Sequence, residues 1–141
     1  MENMKPQSGQ RNSLYPQKEF PFKDITERII SCAIEVHRTL GPGLLEYLYE
    51  EALEYEFDLR GIYYERQKEI GLRYKRRVIG QHRIDYLVEN QVIVELKSVA
   101  LMDTIYEAQL LTYLRAMDKK IGLLINFNVE RLTDGIKRLI I

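Results

Sequence analysis

The stretch Arg83-Ile-Asp-Tyr-Leu-Val-Glu-Asn-Gln-Val-Ile-Val-Glu-Leu-Lys-Ser98 constrains the fold more than any other part of the chain. It reads as two strands and a turn. Successive side chains of a strand point to opposite faces, so Ile84, Tyr86, Val88, Val92, Val94 and Leu96 form one apolar face that has to be buried. The other face carries Arg83, Asp85, Leu87, Ile93, Glu95 and Lys97. Charges on strands whose remaining residues belong in a core need a reason. Antiparallel partners point the same way. A loop with an odd number of residues, centred on Asn90, therefore sets Asp85 opposite Glu95 and Arg83 opposite Lys97. A two-residue loop shifts the register by one and parts the carboxylates, unless a bulge restores them.

Two opposed carboxylates repel unless a cation or a proton lies between them, and an oxygen-only pair suits a hard divalent ion such as magnesium. Lys97 shares the face, where it can pair with Glu95 or stabilise a developing negative charge. Asp, Glu and Lys together point to phosphate chemistry. The same charges also fit a cross-strand ion-pair network on a solvated face, each pair worth only ~0–1 kcal/mol. The pattern alone leaves both readings open.

A chain of 141 residues with 45% hydrophobic content fits one domain around one core. Its single cysteine, Cys32, lies in an apolar helical pattern. That excludes a disulfide framework or a cysteine metal site and fits a reducing cytoplasm. No apolar run approaches the ~20 residues a membrane helix needs, and the N-terminus lacks the apolar core of a secretory signal. The expectation is a cytoplasmic protein with no membrane partner. The net charge of zero hides an asymmetry. Gly43 to Asp58 holds six acidic and no basic residues, whereas Arg60 to Arg83 holds eight basic and two acidic. The basic half is the one suited to a polyanion.

Residues 1–23 are polar, aperiodic and Pro-containing, the composition of a mobile arm, which leaves 24–141 as the folded domain. Asp24 and Glu27 resemble a capping box opening a helix with Ile25, Ile29, Ala33, Val36 and Leu40 on one stripe, ended by Gly41-Pro42-Gly43. A second helix is expected from about Leu44 to Arg60, with Gly61 as a left-handed cap. Period-two patterning over 62–74 and the basic turn Lys75-Arg76-Arg77 complete a three-strand meander with the opening stretch. Thr104 and Glu107 offer a capping box for a third helix, on which Gln109 and Tyr113 lie one turn apart. Ile121 to Phe127 reads as a strand buried on both faces and reached by a helical crossover. Ile136 to Ile141 fits either an edge strand or a short helix.

The spacing of Asp85, Glu95-Leu-Lys97 and Gln109-x-x-x-Tyr113 resembles the PD-(D/E)XK nuclease superfamily. Gly43-Leu-Leu-Glu46-Tyr-Leu-Tyr49 resembles the signature of its GxxExxY branch. The similarity runs from about Asp24 to Ile141 and includes Gly122-Leu-Leu-Ile-Asn-Phe127 and Asp134-Gly-Ile-Lys-Arg138. It implies an α/β restriction-endonuclease-like core with a mixed four- to five-stranded sheet flanked by helices. It also implies hydrolysis of phosphodiester bonds using magnesium or manganese. Asp85, Glu95, Glu46 and the Leu96 carbonyl would be metal ligands and Lys97 would act on the attacking water. Gln109 and Tyr113 would line the site. Ile84-Asp85 replaces the Pro-Asp that names the superfamily and keeps the carboxylate. DNA is favoured over RNA by the resemblance alone, and a homodimer stays open. Arg73, Lys75, Arg76, Arg77 and Arg83 are the candidate phosphate contacts.

Each residue also has a plainer reading. Glu46 fits a solvated acidic helix, Gln109 an exposed helix position, Tyr49 and Tyr113 core aromatics. His82 fits a strand surface residue better than a base. Lys75-Arg76-Arg77 fits a solvated turn. A non-catalytic module that binds nucleic acid or protein would keep the same fold.

Overall fold

The computed structural model describes residues 21–141. Two helices come first, α1 (Lys23–Leu40) and α2 (Glu46–Leu59). A meander follows, made of β1 (Tyr64–Tyr74), β2 (Arg77–Val88) and β3 (Val92–Lys97). Helix α3 (Thr104–Met117) then crosses to β4 (Ile121–Asn126), and a 3-10 turn at Leu132–Gly135 leads into β5 (Ile136–Ile140). The strands lie in the order β1-β2-β3-β4-β5. Only β3 and β4 are parallel, because only they are joined by a crossover helix. This is the α/β restriction-endonuclease-like core, and the C-terminal segment is its edge strand.

The hydrophobic pattern places the layers. Ile29, Ala33 and Val36 of α1 and Tyr49, Leu53 and Phe57 of α2 pack with Tyr86, Val88, Val92, Val94 and Leu96. On the other face, Leu110, Tyr113 and Leu114 of α3 pack with Leu87, Ile93 and Leu124. All six residues of β4 are buried, as a strand covered on both faces requires. No helix among the described residues is long and apolar enough to cross a membrane. The expected N-terminal arm falls on residues 1–23, of which 1–20 lie outside the described residues and Lys23 already belongs to α1.

Two helix starts differ from the sequence reading. Phe22 in left-handed conformation precedes α1, and no side chain caps it, so Asp24 sits in the first turn rather than at the cap. Helix α3 is capped by Asp103, whose Oδ1 accepts from the Ile105 amide at 3.0 Å, which displaces Thr104 into the helix. Gly61 has the expected positive φ, 68°. Tyr49 is fully buried and stacked on Phe127 at 4.5 Å. Its hydroxyl donates to the Gly41 carbonyl and accepts from the Leu44 amide, which pins the loop that delivers α2.

The tail motif is held by a close approach. A Cβ at Gly135 would lie 2.2 Å from the Asn126 carbonyl oxygen, backbone that cannot yield. Asn126 in turn ties the segment after β3, its side chain bonding both Val99 backbone groups. Gly135→Ala is therefore expected to destabilise the fold by about 3 kcal/mol, the upper end of overpacking effects. The midpoint of urea unfolding should fall at unchanged slope, and an unaltered midpoint would refute the close approach.

Candidate active site

The loop between β2 and β3 is Glu89-Asn90-Gln91, an odd loop centred on Asn90, with φ of 52° and 59° at its first two residues. Val88 thus pairs with Val92, Leu87 with Ile93 and Tyr86 with Val94. Continuing that register brings Asp85 opposite Glu95. The backbone ladder stops there and the carboxylates take it over. The Asp85 amide donates to Glu95 Oε2 at 2.7 Å, and the Leu96 amide donates to Asp85 Oδ2 at 2.8 Å.

The strands also roll over at this point. Tyr86 packs beneath α1 and α2, but Ile84, two residues earlier, packs beneath α3. β1 does the same, Tyr64 lying on the first side and Ile70 and Leu72 on the second. Gln67, between the pairs Arg66–Tyr86 and Lys68–Ile84, has φ of 55°. The pairing sum is the same on both sides of Gln67, so no residue is inserted. The sequence reading is corrected in two places. Ile84 leaves the apolar face assigned to it, and Arg83 does not face Lys97 but lies exposed in register with Glu69. His82 takes the inward place. Its ring stacks on Tyr113 at 4.0 Å and its Nε2 lies 3.6 Å from Glu95 Oε1.

Several elements converge on the two carboxylates. Gln67 Nε2 donates to Asp85 Oδ1 at 3.3 Å and to Glu50 Oε2 at 2.7 Å, linking the site to α2. Arg66 clamps the same helix through Glu50, Glu51 and Glu54. Three glutamates of the acidic helix therefore share one arginine of β1, which offsets part of their charge. Glu46 stands in the first turn of α2, half-buried. Its pKa is raised by burial and by Glu50, against the pull of Lys97. Lys97 Nζ lies 4.4 Å over the Tyr106 ring. Gln109 is exposed, one turn before the buried Tyr113, and Tyr106, Gln109 and Tyr113 share a helix face.

Burial dominates the electrostatics. It pushes Asp85 up to about 6, with Glu50 and Glu46 adding repulsion and the Leu96 amide and Lys97 opposing. Glu95, 8% exposed, is pushed up to about 8 by burial and then by Asp85. Burial and Lys97 lower His82. Tyr113 is raised by burial and by both carboxylates. Among the described residues no three His, Cys, Asp or Glu side chains gather tightly enough to hold a metal ion by themselves. The donor chemistry still fits a hard divalent ion. Asp85 and Glu95 each bind a backbone amide through one oxygen and keep the other free of the backbone. Burial favours the protonated form of both carboxyls, so a cation binding there would compete with protons.

The basic residues lie elsewhere. Lys75-Arg76 forms the tip of the β1–β2 hairpin, between the paired Tyr74 and Arg77, and Arg73 Nη1 donates to the Arg76 carbonyl. Arg73, Lys75, Arg76, Arg77 and Arg83 are all exposed. Tyr106, Gln67, Glu50 and Arg66 were missed by the sequence reading, and His82, read there as a strand surface residue, instead stacks on Tyr113 beside Glu95. Tyr106 alone carried a usable signal, its seven-residue spacing from Tyr113.

A mixed sheet with a carboxylate pair and a lysine at the strand end where the parallel crossover begins defines the restriction-endonuclease-like class. The sequence profile of the PD-(D/E)XK nuclease superfamily matches residues 23–139, and the chain belongs to that superfamily. Nucleases of this superfamily generally use divalent metals and act on nucleic acids. No curated protein matches the chain.

Proposed function

We propose that the domain spanning residues 24–141 is a metal-dependent nuclease of the GxxExxY branch that hydrolyses DNA. The observation that carries the reading is the pair of amide–carboxylate bonds, Asp85 amide to Glu95 and Leu96 amide to Asp85, which stands where ladder bonds would be and sets two largely buried carboxyls side by side. A purely structural ion-pair network would leave these groups ionised and paired with cations. Here burial raises both.

Asp85 and Glu95 would hold magnesium or manganese, with Glu46 and the Leu96 carbonyl completing the oxygen set. A cation bound there supplies Lewis acidity to the scissile phosphate. Lys97, fixed over Tyr106, stabilises negative charge building on the phosphoryl oxygens. Gln109 and Tyr113 line the substrate side, and Tyr113 holds His82 against Glu95. Arg73, Lys75, Arg76, Arg77 and Arg83 grip the backbone away from the chemistry.

The test is cleavage of plasmid and single-stranded DNA by the purified protein. Nicking or degradation with magnesium or manganese, abolished by EDTA and by Asp85→Ala, is the expected result. DNA binding without cleavage under every metal would instead establish the alternative, a binding module that keeps the fold.

A further inference from the structure

We infer that the groove between the β1–β2 hairpin and the C-terminal half of α3 is a second contact for the phosphate backbone of duplex DNA, made by Arg73 and Arg115. The inference rests on the nucleic-acid reading of the site, and it assigns a role to Arg115, which no motif picks out. The groove has a volume of about 400 Å³ and is lined by Gly71, Leu72, Arg73, Thr112, Arg115 and Ala116.

Its place argues for continuity with the site. Ile70 pairs with His82, whose ring stacks on Tyr113. Gly71 and Thr112 are the next residues along each element, so the groove opens where the carboxylate site ends. Leu72 pairs with Gly80 and Arg73 with Val78. Gly80 and Val78 stand about 17 and 23 Å along β2 from Asp85 at a strand rise of ~3.3 Å per residue. Duplex DNA rises 3.4 Å per base pair. The groove thus lies about five to seven base pairs from the scissile bond, within one turn of a single duplex.

Its charge argues for a polyanion. On the α1 and α2 side the cations are matched: Arg66 by three glutamates, Arg60 by Glu56, Arg38 by Glu35. Arg73 binds only the Arg76 carbonyl, and among the described residues neither Arg73 nor Arg115 pairs with a carboxylate. Gly71 and Ala116 add small residues to the same lining. Two guanidinium groups lining one groove suit the paired oxygens of a phosphodiester. An acidic segment of a second copy is a poorer occupant, because Glu50, Glu51 and Glu54 of α2 are already engaged by Arg66.

The test is binding of a fluorescent 24-base-pair duplex in EDTA, measured by anisotropy against salt. Wild type is compared with Arg73→Ala, Arg115→Ala, Arg115→Lys and the control Arg38→Ala. The slope of log Kd against log salt should fall by about 0.9 for each alanine in the groove. Arg115→Lys and Arg38→Ala should keep the wild-type slope. Matching circular dichroism melting curves confirm that the variants fold. An unchanged slope in Arg115→Ala, with a wild type that binds and cleaves DNA, overturns the groove and leaves the nuclease reading intact. A reduced slope with a wild type that never cleaves supports the groove and removes the nuclease reading. A wild type that does not bind the duplex overturns both.

Discussion

The metal-free protein is expected to lose stability as the pH rises from about 4 to about 8, and magnesium or manganese to restore part of it at the upper end. Asp85 and Glu95 have reference values of 3.8 and 4.5 and are raised by burial to about 6 and about 8 in the fold. A carboxyl whose folded pKa exceeds its unfolded one holds extra protons when native. Its contribution is complete below the unfolded pKa and disappears as the pH climbs through the folded one. One pKa unit is about 1.4 kcal/mol, so a two-unit shift alone is worth about 3 kcal/mol. Metal at about ten times its dissociation constant adds about 1.4 kcal/mol by binding the native state alone. It must displace protons to bind, so the gain should be larger at pH 8 than at pH 5.

Asp85→Ala should erase the metal response and change the pH profile in a specific way. It strips the acceptor from the Leu96 amide, a loss of ~1–3 kcal/mol for a buried donor, while removing the charge that repels Glu95. The variant should therefore be clearly less stable than wild type at pH 5, where the repulsion is absent, and nearly equal at pH 8. Asp85→Asn keeps an acceptor and should lose less at pH 5. Melting curves across this range, with EDTA and with magnesium, decide the matter. A flat wild-type profile would show that the pair is ionised and satisfied, as in a plain ion-pair network.

Much of this geometry could be read from residue order, for a physical reason. Register depends on loop parity, and the apolar rows on either side of Asn90 tolerate only an odd loop without exposing Val92 and Val94. The layers were legible because α1 and the strands bury simple stripes. The roll at Gln67 and Asp85 was not. Period-two reading assumes that alternation continues, and a glutamine gives no sign of left-handed backbone as a glycine would. Every side chain beyond that point changed sides, so His82 entered the site and Arg83 left it. The acidic run of α2 misled in a similar way. Its charges looked solvated because their partner, Arg66, lies 16 residues from Glu50 and meets it only through the helix–sheet packing. The cap of α3 failed locally, since Asp103, one residue ahead of Thr104, also offers a capping oxygen and its carboxylate accepts from the Ile105 amide.

Lys97→Ala is expected to lower kcat by about 10²- to 10³-fold, the cost of removing one preorganised donor for developing negative charge, with KM little changed. Among the described residues Lys97 is within ion-pair distance of neither Asp85 nor Glu95, and its ammonium stands over the Tyr106 ring at 4.4 Å, a contact that holds the charge at the edge of the site. Removing it should spare the metal-induced rise in melting temperature, because no ligand is lost. Asp85→Ala should abolish both activity and that rise. Tyr106→Phe keeps the aromatic face and should retain activity, whereas Tyr106→Leu loses ~0.5–2 kcal/mol of cation–π attraction and should cost up to about 30-fold in kcat. If Lys97 were only a member of an ion-pair network, its alanine variant would melt lower and cleave normally. Cleavage at the wild-type rate by Lys97→Ala would remove the lysine from the chemistry, whatever the fate of the carboxylate pair.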